Sequence, residues 1–395
     1  MSANISRHSK SNPIHVIAVA LCALVFMLIV WGGHVKTTGS GMAFESWPSS
    51  NGDRMLEYAP SKWMAASNEF WEHGHRLFAS LVGLVTSILL VTTYIKTPKL
   101  QRPHFAYIAP LGVVFVLIAS TIVLARDQPS YMEMLMGALA VMLIIYLVRS
   151  FAALQDSRLV WLSMTAFVAV CLQGLFGGFA VLYGDPIFTL SWAATVHGVL
   201  AEIFFLVVVA IALYSSKGWN QQTVVPTYDG SVRLTVMLTW ILTFVQFILG
   251  AITRHLEAWL HSSHFPQWSP AGFFPSQEAL GETGILVHVV HRTAAYLVAG
   301  MVIVQMVVLY KRNIKGVVMA SATANALLVV AQIFLGAGIV WFQRDETITT
   351  LHVMVGVMLM LFNNIVMLSV QPLRVPSIAL QPADGIHPLH AGGQS

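Results

Sequence analysis

The chain has 395 residues, 56% hydrophobic and only 10% charged, with mean hydropathy +0.72 and a formal net charge of +4. That balance excludes an ordinary soluble domain, and the small basic excess gives no reason to invoke nucleic acid. The two cysteines, Cys22 and Cys171, both lie inside apolar runs and are not placed for a loop disulfide.

Apolar stretches of about 17 to 25 residues, the length that crosses a hydrocarbon core of roughly 30 Å, recur along almost the whole chain. Ten spans are predicted, near 14–33, 74–95, 105–125, 131–148, 160–182, 192–214, 235–253, 286–309, 318–341 and 350–370. Lipid leaves backbone groups no other partner, so each is expected to be helical and the fold class is an all-α polytopic membrane bundle. The first span has no small-residue cleavage site behind it and reads as a retained helix. With ten alternating helices, 13 of the 21 Lys and Arg residues fall on one face, which predicts cytoplasmic termini in a cell membrane. The tail over 371–395 reads as a disordered cytoplasmic segment.

The informative residues occur twice. In chain order, Glu72-His73-Gly74-His75-Arg76 opens the second span, Gln173 to Gly178 sits late in the fifth, and Thr195-Val196-His197-Gly198 opens the sixth. Then His288-Val289-Val290-His291-Arg292 opens the eighth span, Gln332 to Gly338 lies late in the ninth, and Thr350-Leu351-His352-Val353 opens the tenth. Gln173 to His197 is 24 residues and Gln332 to His352 is 20, whereas His75 to Gln173 is 98 and His291 to Gln332 is 41. The difference of 57 residues is about what two membrane helices with short loops need. The expected organisation is therefore two pseudo-symmetric four-helix halves, 1–96 with 153–216 and 217–370, plus an inserted helix pair over 97–152. An insertion of two helices preserves orientation, so the halves are parallel repeats.

This topology puts His75, His197, His291 and His352 at matched depth at the outer helix mouths. One such histidine is ordinarily an interfacial side chain; four with repeated neighbours point to axial ligation of one haem iron per half. Arg76 and Arg292, immediately after the first histidine of each pair, suit hydrogen bonding to an acidic porphyrin edge near the interface. The Gln-x-x-x-Gly segments allow close approach of backbone to a macrocycle or a neighbouring helix. Met132, Met134, Met136 and Met142 read as packing residues, and His255, His261 and His264 as solvated loop residues. One position breaks the repeat: Glu72 stands one turn before His75, while His288 stands one turn before His291. An ionisable carboxyl at one membrane haem site is a functional candidate, for proton transfer or for stabilising positive charge, and it marks the first half as the reacting one.

These residues resemble the haem A synthase family. The resemblance rests on Trp31-Gly32-Gly33-His34-Val35-Lys36-Thr37-Thr38-Gly39-Ser40-Gly41 with Trp47-Pro48 behind it, on Glu72-x-x-His75-Arg76, and on His197, His291-Arg292 and His352. It implies a substrate haem O between His75 and His197, a resident haem b between His291 and His352, and Glu72 as the catalytic carboxylate. The implied reaction oxidises a porphyrin methyl to a formyl group by successive hydroxylations, with electrons delivered through the resident haem. The implied partners are the haem O substrate, the lipid bilayer, haem O synthase, cytochrome oxidase assembly factors, an electron donor and a further copy of the chain. Phe44 and Ser50 align where many bacterial members carry cysteines, which resembles the cysteine-free class. The inserted pair departs from the family's usual eight helices. Two alternatives stay open: a dihaem b protein passing electrons from quinol to a partner, and a haem chaperone or transporter.

Overall fold

The computed structural model describes residues 12–44, 46, 47, 49–97, 145, 146, 148–150, 154, 158–182, 190–220, 227–270 and 272–371. Among them, eight helices are long and apolar enough to cross a membrane. We number them α1 (Pro13–Thr37), α2 (Ser67–Lys96), α3 (Arg158–Leu182), α4 (Leu190–Tyr214), α5 (Gly230–His255), α6 (Thr283–Lys311), α7 (Gly316–Trp341) and α8 (Glu346–Val370). They correspond to eight of the ten predicted spans, and the protein is a multi-pass helical membrane bundle. The spans near 105–125 and 131–148, the methionines at 132–142, most of the inserted pair and the tail beyond 371 lie outside the described residues.

Local chemistry sets the helix starts. Asn12, Asp229 and Asp345 each cap a helix, accepting from the main-chain N–H of Ile14, Val232 and Ile348 at 3.2, 3.0 and 3.0 Å. Pro13 occupies the first turn of α1, where a missing N–H costs nothing. Several helices outrun the hydropathy that predicts them. α2 begins at Ser67 and α6 at Thr283, ahead of the apolar runs expected from 74 and 286, because polar residues continue a helix beyond hydrocarbon. The paired histidines consequently sit inside the helices rather than at their first turn.

Two closed four-helix rings result. α1 packs on α2 and α4, and α3 completes the first ring by packing on the same two helices; α5, α6, α7 and α8 repeat the pattern. α2 and α4 are diagonal in their ring, as are α6 and α8 in theirs, and these are the helices that carry the histidines. Ser163 at the start of α3 donates to Thr93 near the end of α2 at 3.2 Å, so the chain re-enters the membrane on the face where α2 left it. In the first ring, Ala18, Leu21 and Val25 pack with Val82, Leu89, Leu162 and Val208. Outward, Leu81, Leu84, Ile88, Val91 and Ile95 form a helical-period stripe of exposed apolar residues, the surface that suits lipid.

The rings join through the helices that correspond to one another, α1 and α4 against α5 and α8. Within the membrane, Asn364 Nδ2 crosses between the rings to donate to Leu206 O at 3.1 Å; inside the second ring its Oδ1 accepts from Trp240 Nε1 at 3.3 Å and Asn363 Nδ2 donates to Thr243 Oγ1 at 2.8 Å. At the histidine end of the bundle the joint is cationic. Arg254 Nη2 donates to Gly33 O and, at 2.7 Å, to Thr37 Oγ1, and Arg344 Nη2 donates to Thr37 O at 3.0 Å. Two arginines of the second ring thereby satisfy carbonyls that end α1 and oppose the negative end of its dipole. Replacing Arg254 by Ala should cost about 1.5–3 kcal/mol, the scale of a hydrogen bond to a charged group, seen as earlier unfolding of the purified protein.

Candidate functional site

The four histidines share one seat. A Cβ added to Gly32 of α1 would lie 2.9 Å from His75 Cε1, and one on Gly177 of α3 would lie 3.1 Å from His197 Cε1. In the second ring a Cβ on Gly250 of α5 would lie 3.1 Å from His291 Cε1, and one on Gly336 of α7 would lie 3.2 Å from His352 Cε1. Each imidazole thus presses its Cε1 corner into a gap that a methyl group would fill, on a helix adjacent to its own. Only glycine leaves that room. All four rings lie deep in the bundle yet are only half-buried. Nδ1 is sealed and unpartnered in His75, His197 and His352. The accessible edge of those three rings is therefore the opposite one, which carries Nε2.

His75 and His197 lie within electrostatic range of one another across the first ring, and His352 lies within range of His291 across the second. Two imidazoles on diagonal helices, each seated on a glycine and within electrostatic range of the other, fit axial ligation of a planar metallated macrocycle. A directly bound metal ion is a poorer fit. Among the described residues no group of three or more His, Cys, Asp and Glu side chains could hold one.

Around the first histidine of each pair the halves repeat a second arrangement. Arg76 forms a buried ion pair with Glu72 Oε1, one turn earlier on α2, while Glu72 Oε2 accepts from Phe44 N at 3.1 Å. Arg76 also donates to Ser46 O at 2.8 Å, Ser49 O at 3.1 Å and Phe44 O at 3.3 Å, and lies over the Phe44 ring. In the second half Arg292 Nε donates to His288 Nε2 at 3.0 Å, and its guanidinium lies over Trp268 and Phe265. The residue three before the seated histidine therefore bonds the arginine one after it in both halves. A carboxylate does so in the first and an imidazole in the second. The arginines differ in what remains free: Arg76 is committed to the segment after α1, whereas Arg292 Nη2 is buried without a partner.

The segment after α1 closes over this region. His73, buried on α2, approaches Ser50 Oγ at 3.1 Å and sits among Phe44, Tyr58 and Trp63 at ring-centroid distances of 5.9, 5.5 and 5.0 Å. Trp47 lies against Gly178 of α3, and Trp31 against Gly74 of α2 with its Nε1 donating to Trp71 O at 2.9 Å. Phe44 and Ser50, the positions aligned with cysteines, are both fully buried in this cap. Sequence reasoning misses His73, Gly32, Gly250 and Gln246. The last two had a signal, since Gln246-x-x-x-Gly250 has the same spacing as Gln173-x-x-x-Gly177 and Gln332-x-x-x-Gly336. His255 ends α5 and is half-buried rather than a loop residue. His261 pairs with Glu282 at 3.3 Å, and His264 approaches Ser263 Oγ at 3.1 Å, so the three do not converge.

Breaking a buried charge pair by removing one partner costs about 3–5 kcal/mol. Arg76→Ala should therefore release the segment after α1, and amide exchange over 40–58 should quicken by roughly a hundredfold or more while α5 to α8 keep their protection.

The chain matches the model of the COX15-CtaA family, described as cytochrome oxidase assembly protein, over residues 15–122 and 130–363. It is similar to a protein named heme A synthase from Geobacillus kaustophilus, 24% identical over 337 residues that cover 84% of this chain and 82% of that one. A second heme A synthase, from Alkalihalophilus pseudofirmus, is 23% identical over 222 residues, covering 56% of this chain and 71% of its own. The matched residues take in all four seated histidines, Glu72 and both arginines, and the chain belongs to the COX15-CtaA family.

Proposed function

We propose that the chain is a haem A synthase, an oxidoreductase that converts haem O to haem A by oxidising a porphyrin methyl to a formyl group through successive hydroxylations. The names of both relatives support this. The observation that carries it is the exchange of Glu72 for His288 in an otherwise repeated arrangement, since an electron carrier needs no carboxylate at one of two equivalent sites. The first half, 1–96 with 153–216, takes haem O between His75 and His197. The second half, 217–370, takes haem b between His291 and His352. The bound haem b would supply reducing equivalents.

The residues of the chain divide the remaining work. Phe44 N and Arg76 hold the Glu72 carboxyl in a fixed place one turn from His75, where it can accept a proton or oppose developing positive charge. Tying the loop over 44–50 to α2 keeps bulk water from that carboxyl, and the aromatic cap of Phe44, Tyr58 and Trp63 reinforces it. Arg292, with a buried free Nη2, is the better placed of the two arginines to meet an acidic porphyrin edge, and Arg76 reaches one only by giving up loop contacts. The orientation that puts most basic residues on the cytoplasmic side places the termini there and the histidines toward the outer face of a cell membrane. The partners are the bilayer, an electron donor, haem O synthase, oxidase assembly factors and a further copy of the chain.

The matched glycine seats of the two halves favour a second reading, a carrier holding two permanent haems b. One experiment separates them. The protein is purified from a host supplied with haem O synthase, and its non-covalent haems are extracted and identified by mass. Haem A or its hydroxylated precursor should accompany haem b, and Glu72→Ala should abolish both oxidised products while haem b remains bound. Haem b alone at about two per chain, with haem O present and unchanged, identifies the carrier.

A further inference from the structure

We infer that His75 is the displaceable ligand among the four histidines, because the helix that seats it lacks the glutamine that ties down the others; this rests on the reading of the two His pairs as haem ligands. For His197 and His291 the tie is a hydrogen bond to the histidine's own carbonyl, and for His352 the glutamine stands at the same position against the same turn of helix. Gln173 Nε2 donates to His197 O at 2.8 Å. Gln246 Nε2 donates to His291 O at 3.0 Å and approaches His291 Nδ1 at 3.1 Å. Gln332 lies with its main chain beside the His352 ring, and its Nε2 would be 3.3 Å from a Cβ on Gly356, one turn further along α8. Each glutamine stands four residues before the glycine that seats the same histidine, so one helix face supplies both the gap and the amide.

Four residues before Gly32 the chain has Leu28, which packs in the apolar cluster of the first ring and has no donor. His75 therefore has the glycine seat alone. A glutamine amide bonded to the ligand's own carbonyl fixes the axial position and rotation of that turn of helix, and with them the direction of the imidazole. A haem whose two axial positions stay filled suits electron transfer, whereas a haem that reacts with an oxygen species must open one. The exception falls beside Glu72, the carboxylate that the second half lacks. Gln173, Gln246 and Gln332 are thus positioning residues, and Leu28 is the specific departure that leaves one ligand free to swing away.

Carbon monoxide binding to the reduced, haem-loaded protein, read from its visible spectrum, tests this without reference to turnover. In the native chain carbon monoxide should take one haem readily and the other poorly. Leu28→Gln should weaken binding at the first by roughly three- to tenfold, the worth of one added hydrogen bond, with haem content unchanged. Gln246→Leu should open the second haem by a similar factor, and this arm decides the matter if Leu28→Gln does not fold. Equal affinity at both haems in the native chain, or no change in either variant, overturns the inference. A purified protein that holds fewer than two haems when both are supplied overturns instead the reading on which it rests.

Discussion

Everything in this bundle is arranged around four imidazoles that must be carried deep into an apolar interior and held in one direction. A side chain with two polar nitrogens is costly to bury unless its surroundings are fixed. The chain meets that constraint by pressing each ring corner into a glycine on an adjacent helix. The glycine decides which helices must touch, and the contact of α1 with α2, α3 with α4, α5 with α6 and α7 with α8 follows from it. Because the ring is buttressed on one edge, the other edge faces the interior of its four-helix ring, where a flat cofactor can lie between diagonal helices.

Duplication supplies the second half of the design, and small departures from duplication supply the function. The arginine after the first histidine is bonded one turn back in both halves, but to Glu72 in one and to His288 in the other. The two arginines also differ in what else they hold. Arg76 is spent on the carbonyls of Phe44, Ser46 and Ser49 and closes a cap over its site, while Arg292 keeps a buried donor free. One half is thus sealed and provided with a carboxylate, the other open to an acidic group and without one. The joint between them is built from the corresponding helices α1, α4, α5 and α8, with Arg254 and Arg344 reaching across to the carbonyls of α1.

Much of this is legible in the residues. Long apolar runs give the spans, since lipid enforces helix, and the paired His-Arg and Gln-x-x-x-Gly motifs give the repeat and the Glu72 asymmetry. What escapes has a physical reason. Hydropathy reports where hydrocarbon ends, not where a helix does, so α2 begins at Ser67 and takes its Glu-x-x-His motif well inside. Gly32 and Gly250 seat histidines on neighbouring helices, a relation that no single helix displays, although the spacing of Gln246 and Gly250 offered the clue. The engagement of Arg76 by loop carbonyls is tertiary, and nothing in the run Phe44 to Ser50 announces it. His73, beside the more conspicuous His75, points the other way into an aromatic cap.

The central claim is that each half seats its own haem with its own pair of histidines. It is tested most directly by optical and paramagnetic resonance spectra of the four single variants His75→Ala, His197→Ala, His291→Ala and His352→Ala, each purified with its bound haem. The account predicts two classes: loss of His291 or His352 alters one and the same haem signal, and loss of His75 or His197 alters the other. A variant from one half that alters the signal assigned to the opposite half, or that alters neither, would contradict it.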